Sequence, residues 1–417
     1  MKVYLRTYGC RANQYDTESV RAMLAAAGIE EAAQPHEADF AVFNSCTVTS
    51  QAEADLRSGV RSAHRTNPQL RSIIMGCASG VPSRDEAVAP LATLPGVSDV
   101  VPGGDVSAVA MALGIEAAGS GSQSRSAMQT GARALLRIQE GCDEHCTFCA
   151  TTIARGASVS RPLHSLVAEA SILAERHPEI VLTGIHIGSY GRDIDSSLGD
   201  LVALLIEQVP VVRFRLSSVE ATEVDEALAQ LLRNDPSRLA PHLHAPLQSG
   251  SDSLLKRMGR HWYDSKTYSS AVRRITESRE VFALSADVIT GFPGETESDH
   301  AATMRLVESL PFTSLHVFPF SPRPGTAALR LPGAVPTSLA RTRAAELRDL
   351  AAGKAARYAE SRHGQRGDVV VTSRGEGLTE DYLSVSLSDG AIPRRSRLDC
   401  LLRDTGGRLT AFPLEPA

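Results

Sequence analysis

Long hydrophobic runs, a surplus of positive charge and an even set of cysteines are all missing from this 417-residue chain. Each absence removes a class of answer. No stretch approaches the roughly 18 apolar residues of a membrane span. The amino terminus, MKVYLRTYGCRANQYD, lacks the apolar core of a secretory signal. A soluble, cytoplasmic protein with no membrane partner is therefore expected. The formal charge is −5, from 43 Lys+Arg against 48 Asp+Glu, so bulk basicity gives no support to nucleic-acid binding, and only a local patch stays open. Seven cysteines spread over a long chain fit a disulfide framework poorly and fit metal or redox chemistry better. What is present, 42% hydrophobic and 22% charged residues with 32 Gly and 22 Pro, is ordinary globular composition. The length is enough for about two or three domains.

Apolar periodicity divides the chain. Val3–Thr7, Phe40–Asn44 and Ser72–Gly76 read as strands, with helices over Thr17–Ala27 and Ala52–Arg65. This βαβαβ order predicts a parallel-sheet domain over 1–115. Residues 116–130, EAAGSGSQSRSAMQT, read as a linker. Over 131–362 six strand candidates recur: Ala134–Ile138, Ile180–Gly184, Arg213–Ser217, His242–Leu247, Ser285–Thr290 and Ser314–Phe320. Helical patterns separate them at Leu163–Glu175, Leu198–Glu207, Val224–Leu232, Ser265–Arg279 and Glu297–Ser309. Such units build a partial (βα)6 barrel, and an open doubly wound sheet fits the same pattern. A long helix over Ser338–Ser361 leads to a small all-β module at 363–417. The fold class is thus α/β with a small all-β carboxyl-terminal domain.

The strongest local signal is GCDEHCTFCATTIARG, in which Cys142, Cys146 and Cys149 form C-x3-C-x2-C directly after a predicted strand. Thiolates select soft metals and iron-sulfur clusters, and three cysteines on a four-iron cluster leave one iron open. The plainer alternative is a zinc knuckle completed by His145 or a distant residue. Cys10, Cys46 and Cys77 are far apart in sequence, yet each follows a predicted strand of the first domain by a residue or two. Carboxyl ends of parallel strands share one edge, so these three converge into a second cluster site, unless they are small buried hydrophobes. Cys400 lies alone in the tail and is expected to pack.

Polar segments fall after the predicted barrel strands: TGIHIGSYG, SSVE, PLQSGSD and GFPGETE. Glu220 and Gln248 follow apolar strands and are the candidates for cofactor binding. His186, His242, His244 and His316 lie within or beside strands and are expected to be hydrogen-bonded packing residues; no catalytic residue is named. Arg155, Arg161, Arg394, Arg395 and Arg397 are the candidates for nucleic-acid phosphates.

GCDEHCTFC resembles the cluster motif of radical S-adenosylmethionine enzymes. With GCRANQYDTE, NSCTVT, LTGIHIGSYG, RLSSVE, HLHAPLQSGSD, DVITGFPGETE and FPFSPRPGTAA, the chain looks like the methylthiotransferase family, including its amino-terminal cluster domain and its carboxyl-terminal TRAM domain. It is most similar to the branch that acts on N6-threonylcarbamoyladenosine at position 37 of tRNA. The resemblance implies two [4Fe-4S] clusters, one on Cys142, Cys146 and Cys149 that binds S-adenosyl-L-methionine and cleaves its sulfonium, one on Cys10, Cys46 and Cys77 that brings sulfur. The deoxyadenosyl radical would take hydrogen from adenine C2, and a second S-adenosylmethionine would supply the methyl group. A tRNA anticodon loop and a reducing electron donor are the implied partners, and a monomer is expected. Other readings are a methylthiotransferase for a different tRNA adenosine or for a ribosomal-protein aspartate, and a non-enzymatic metal-containing RNA-binding protein.

Overall fold

The computed structural model describes residues 1–46, 50–80, 90–115, 128–277 and 279–414. Of the expected linker, 116–127 lie outside the described residues. The chain divides into two compact units: Met1–Ser126 with Gln139–Val159 and Ser321–Arg330, and Ala127–Ile138 with Ser160–Phe320 and Leu331–Ala417.

The first unit contains β1 (Lys2–Tyr8), α1 (Arg11–Ala26), β2 (Glu30–Glu31), β3 (Phe40–Ser45), α2 (Ser50–Thr66), β4 (Arg71–Gly76), β5 (Val97–Pro102) and α3 (Val106–Ala112). The five strands form a parallel sheet in the order β2-β1-β3-β4-β5. Alternate residues face opposite sides, as a two-sided sheet requires. Leu5, Val42, Ile73 and Met75 pack with Val20, Leu24 and Val109 on one side, and Phe43 and Ile74 pack with Leu56 and Val60 on the other. Helix α1 begins six residues earlier than its apolar pattern predicts. Its first turns bury polar residues, Asn13, Asp16 and Thr17, so the periodicity becomes visible only later. β5 and α3 carry too few buried apolar residues to have been recognised.

The second unit opens with β6 (Ala134–Arg137); β7 (Gln139–Glu140) and α4 (Thr151–Arg155) belong to the first unit, and β8 (Val159–Ser160) follows them in sequence. The second unit continues through α5 (Leu163–Ala174), β9 (Glu179–Thr183), α6 (Leu198–Gln208), β10 (Arg213–Leu216), α7 (Glu226–Asn234), β11 (His242–His244), α8 (Asp252–Arg257), α9 (Ser265–Thr276), β12 (Ala283–Thr290), α10 (Glu297–Ser309) and β13 (Phe312–Pro319). Two parallel sheets, β10-β9-β6 and β11-β12-β13, are joined by bridges from Phe214 to Leu239 and from Ser218 to His244. The six strands therefore run side by side in sequence order. A doubly wound sheet reverses its strand order at a switch point; this one does not, and the partial (βα)6 barrel is the architecture. Leu182, Phe214, Leu216, Leu243, Leu284 and Val288 fill the layer shared with Leu166, Leu201 and Val272 of the helices.

The predicted strand at His242–Leu247 is regular only to His244. Beyond it the backbone turns through Gln248 at φ 61°. Helix α11 (Thr337–Ser361) leads to β14 (Arg366–Ser373), β15 (Glu376–Leu378), β16 (Ser384–Leu387), β17 (Arg397–Asp404) and β18 (Leu409–Pro413), which close a small barrel in the order β14-β15-β16-β18-β17. Cys400 is buried in its core with Val369, Val385 and Leu402, a packing role. Among the described residues no helix is long and apolar enough to cross a membrane.

Candidate functional site

Cys10, Cys46 and Cys77 follow the last residues of β1, β3 and β4, and the register aligns those ends: Tyr8 pairs with Ser45, and Ser45 with Gly76. Neighbouring strands lie about 4.8 Å apart, so the three residues stand side by side along one sheet edge. A buried amide pair fixes that edge. Asn13 Nδ2 donates to Asn44 Oδ1 at 2.8 Å and to the Ser45 carbonyl at 3.0 Å, while Asn44 Nδ2 donates to the Asn13 carbonyl at 2.8 Å. The Cys10 thiol donates to Asn13 Oδ1 at 3.3 Å. Gly76 sits at φ 99°, and a Cβ there would lie 2.4 Å from Asn44 Oδ1 and from the Ser45 carbonyl oxygen, so only glycine can turn the chain into Cys77.

Cys142, Cys146 and Cys149 lie in the same compact unit, on the loop between β7 and α4. The loop folds back tightly: Cys142 N–H donates to the Gly156 carbonyl at 3.0 Å, and a Cβ on Gly141 would meet the Ala157 carbonyl oxygen at 1.8 Å. Backbone N–H groups already point at sulfur, from Glu144 to Cys142 and from Thr151 to Cys149, each at 3.4 Å. Such donors stabilise thiolate ligands of iron-sulfur clusters. Three thiols on one sheet edge and three on a loop with N–H groups aimed at sulfur are donor sets that fit such clusters.

The two cysteine groups are linked. Helix α4, which begins two residues after Cys149, packs against the Cys77–Ser79 turn. Its last residue, Arg155, donates from Nε to Cys77 Sγ at 3.1 Å, from Nη2 to Asp16 Oδ2 at 2.8 Å and from Nη1 to Glu140 Oε1 at 3.0 Å. Burial pushes the Cys77 thiol above its ordinary range, and the Arg155 guanidinium pulls it back. Arg155 is 1% exposed and belongs to this network, so it is not a phosphate contact.

In the second unit, Glu220 follows β10 and its carboxylate accepts from the Arg260 guanidinium and the Trp262 indole, both packed against it. Gln248 is held by its backbone, donating to the Asp287 carbonyl at 2.8 Å and accepting from Ile289 N–H at 2.9 Å. Its side-chain amide makes no hydrogen bond among the described residues, and its left-handed backbone is uncommon outside glycine. Glu295 of GFPGETE accepts from Gly291 N–H at 2.5 Å and from Arg343 at 2.9 Å, which shapes its own loop.

One group escaped the sequence reading. His244, Asp287 and His316 project from adjacent strands on the face opposite the core residues Leu243, Ala286, Val288 and Val317, which is the inner wall of the partial barrel. Asp287 Oδ1 is 3.3 Å from His244 Nε2 and 3.3 Å from His316 Nδ1. Ser285 Oγ is 2.9 Å from His244 Nδ1. His316 is 58% exposed, so it is no packing residue, and the two imidazoles hold the Asp287 carboxyl well below the usual range against the cost of its burial. The available signal was a charged residue at an alternate position of an apolar strand. His242 is a packing residue as expected, 2% exposed and stacked on Tyr382. Of the remaining arginines, Arg161 pairs with Glu169 at 2.7 Å and Arg397 pairs with Asp368. Arg394 and Arg395 donate to carbonyls of Thr130 and Gln129, so they fasten chain rather than present a patch.

Residues 2–92 match the uncharacterized protein family UPF0004, and residues 136–307 match the Radical SAM superfamily. A threonylcarbamoyladenosine tRNA methylthiotransferase MtaB from Thermotoga maritima is 34% identical, covering 85% of this chain and 83% of that one. Its namesake from Bacillus subtilis is 33% identical, over 93% and 88% of the two chains. Among solved structures, the radical S-adenosylmethionine methyltransferase TsrM from Kitasatospora setae, with cobalamin and a [4Fe-4S] cluster bound, superposes with a TM-score of 0.58 at 16% identity, over 78% of this chain and 76% of that one. At that identity the likeness is one of fold.

Proposed function

The chain belongs to the family of the MtaB-type threonylcarbamoyladenosine tRNA methylthiotransferases, and from that premise we propose that it adds a methylthio group to C2 of N6-threonylcarbamoyladenosine at position 37 of tRNA. The observation that carries the reading is the placement of two separate cysteine trios, one at the ends of adjacent strands and one on a glycine-turned loop, within one compact unit. Cys142, Cys146 and Cys149 hold one [4Fe-4S] cluster, and Cys10, Cys46 and Cys77 hold the other. When bound, these groups and S-adenosyl-L-methionine supply radical generation, sulfur and the methyl group.

The protein's own residues bind and orient. The Asn13–Asn44 pair and Gly76 fix the thiol-bearing edge before any metal arrives, and the N–H donors of Glu144 and Thr151 hold the second set of thiolates. Glu220, hydrogen-bonded by Arg260 and Trp262, and Gln248, whose side-chain amide makes no hydrogen bond among the described residues, follow barrel strands and are the residues offered to S-adenosylmethionine. A threonylcarbamoyl substituent carries a hydroxyl and a carboxylate. The polar inner wall of His244, Asp287 and His316 suits it, whereas a hydrocarbon substituent would strip water from that wall without replacing its hydrogen bonds. In functional terms residues 1–115 form the amino-terminal cluster domain, 131–362 the radical domain and 363–417 the TRAM-like domain, joined at 116–130. A low-potential electron donor in the cytoplasm and a monomeric state complete the reading. Nucleoside mass spectrometry of tRNA from cells with and without the protein tests it: the 2-methylthio form of the threonylcarbamoyl nucleoside disappears with the protein, and an unchanged nucleoside refutes the assignment.

A further inference from the structure

The guanidinium of Arg155 is committed on three sides. Its Nε–H faces the Cys77 sulfur at 3.1 Å, and its two terminal nitrogens take Asp16 at 2.8 Å and Glu140 at 3.0 Å. Asp16 is fully buried, and Cys77 is 5% exposed. The Glu140 side chain keeps 31% exposure. Two carboxylates would satisfy an arginine's charge without a third partner, so the approach of Nε–H to sulfur is a separate feature of the arrangement. Helix α4, which directly follows the loop carrying Cys142, Cys146 and Cys149, supplies this donor, and the sheet edge carrying Cys10, Cys46 and Cys77 supplies the acceptor. Close packing enforces the contact, since a Cβ on Gly80 would lie 3.0 Å from the Ala154 carbonyl oxygen.

We propose that Arg155 is a positioning residue that sets the reduction potential of the iron-sulfur cluster held by Cys10, Cys46 and Cys77, through its charged hydrogen bond to Cys77 sulfur. The inference rests on the ligand assignment made above. Reduction adds one electron to a cluster, and its negative charge spreads onto the ligand sulfurs. A cation and an N–H donor at one of those sulfurs stabilise the reduced form more than the oxidised form and raise the potential. Asp16 and Glu140 oppose Arg155 with negative charge. Folding of the loop that carries one cysteine trio thereby tunes the cluster on the other.

The sign of the effect separates this role from that of a strut. The test uses the full chain with Cys142, Cys146 and Cys149 replaced by alanine, reconstituted anaerobically and titrated with dithionite while the reduced cluster is followed by electron paramagnetic resonance. Arg155→Gln shifts the one-electron equilibrium toward the oxidised form by at least about tenfold, which is about 59 mV. Glu140→Gln and Asp16→Asn shift it the other way, because each removes a negative charge. Arg155→Lys restores part of the loss. Glu140→Gln, which alters a partly exposed group, carries the test if Arg155→Gln does not take up iron. Equal potentials in the parent, Arg155→Gln and Glu140→Gln chains overturn the proposal, as do shifts of the same sign. A parent chain that takes up no iron refutes the ligand assignment itself.

Discussion

Glu179 lies at the start of β9, fully buried, and binds two arginines that are also fully buried. Arg213 Nε donates to it at 2.7 Å, and Arg215 donates through Nε at 2.7 Å and Nη2 at 3.0 Å, with Arg133 at 3.3 Å. The same arginines reach the small barrel, Arg213 to the Asp368 carbonyl at 3.0 Å and Arg215 to the Thr379 carbonyl at 3.1 Å. Glu179→Gln keeps the shape of the side chain but leaves the buried Arg215 guanidinium without its counter-charge and Arg213 with Asp368 at 2.9 Å as its remaining carboxylate. Breaking a buried ion pair from one side costs about 3–5 kcal/mol. With a urea dependence of about 3 kcal/mol per molar, that is a fall in unfolding midpoint of about 1–1.7 M. The chain contains one tryptophan, Trp262, and it sits in this unit beside Arg260 and Tyr263, so its fluorescence reports the unfolding locally. The pairing holds the Glu179 carboxyl well below its ordinary range, so its contribution is present above the unfolded value of about 4.3 and is lost as pH falls through the depressed folded value. The difference between wild type and Glu179→Gln is therefore constant near neutral pH and shrinks in acid. A midpoint unchanged to within about 0.3 M at neutral pH would refute the reasoning.

Three further outcomes follow from the same geometry. Gly141→Ala places a methyl against the Ala157 carbonyl at a backbone angle of φ 71°, and reconstituted protein loses the iron of one cluster while keeping that of the other, read by iron analysis. His316→Phe replaces the exposed imidazole on the inner wall with an apolar ring; methylthiolation of tRNA falls by about tenfold or more, the loss of roughly one hydrogen bond to a polar substituent, while iron content is unchanged. Glu380 accepts from Arg362 at 2.7 Å, but burial and the neighbouring Asp381 push its carboxyl up to about 7. Its contribution to stability is complete below about pH 4.3 and is lost as pH rises through the folded value, so Glu380→Gln abolishes the decline in thermal midpoint between about pH 5 and about pH 8.

The strand skeleton was legible because apolar runs such as Val3–Thr7 and Ile180–Gly184 are bounded by turns, and the cysteines following three of those runs pointed to one edge. Choosing between barrel and doubly wound sheet required strand order, which periodicity does not encode; the bridges from Phe214 to Leu239 and from Ser218 to His244 decide it. The start of α1 was hidden because its buried face opens with Asn13, Asp16 and Thr17, polar residues whose burial is offset by hydrogen bonds with Asn44 and Ser45 at the end of β3 and with Arg155. Arg155 read as a phosphate ligand for the same reason that His316 read as packing: exposure follows from the tertiary neighbours, Asp16 and Cys77 in one case and an open inner wall in the other. The small all-β module was visible in its alternating short strands, whereas the closure of those strands into a barrel and the burial of Cys400 in its core are tertiary features that a cysteine lying alone in the sequence does not announce.

The central claim is that this chain holds two clusters on two separate cysteine trios. Iron and sulfide analysis of anaerobically reconstituted wild type, of the chain with Cys10, Cys46 and Cys77 replaced by alanine, and of the chain with Cys142, Cys146 and Cys149 replaced by alanine tests it most directly. The account predicts that each triple replacement removes half of the iron and sulfide and leaves the other half bound. Full iron retention after either replacement, or loss of all iron after one and none after the other, would contradict it.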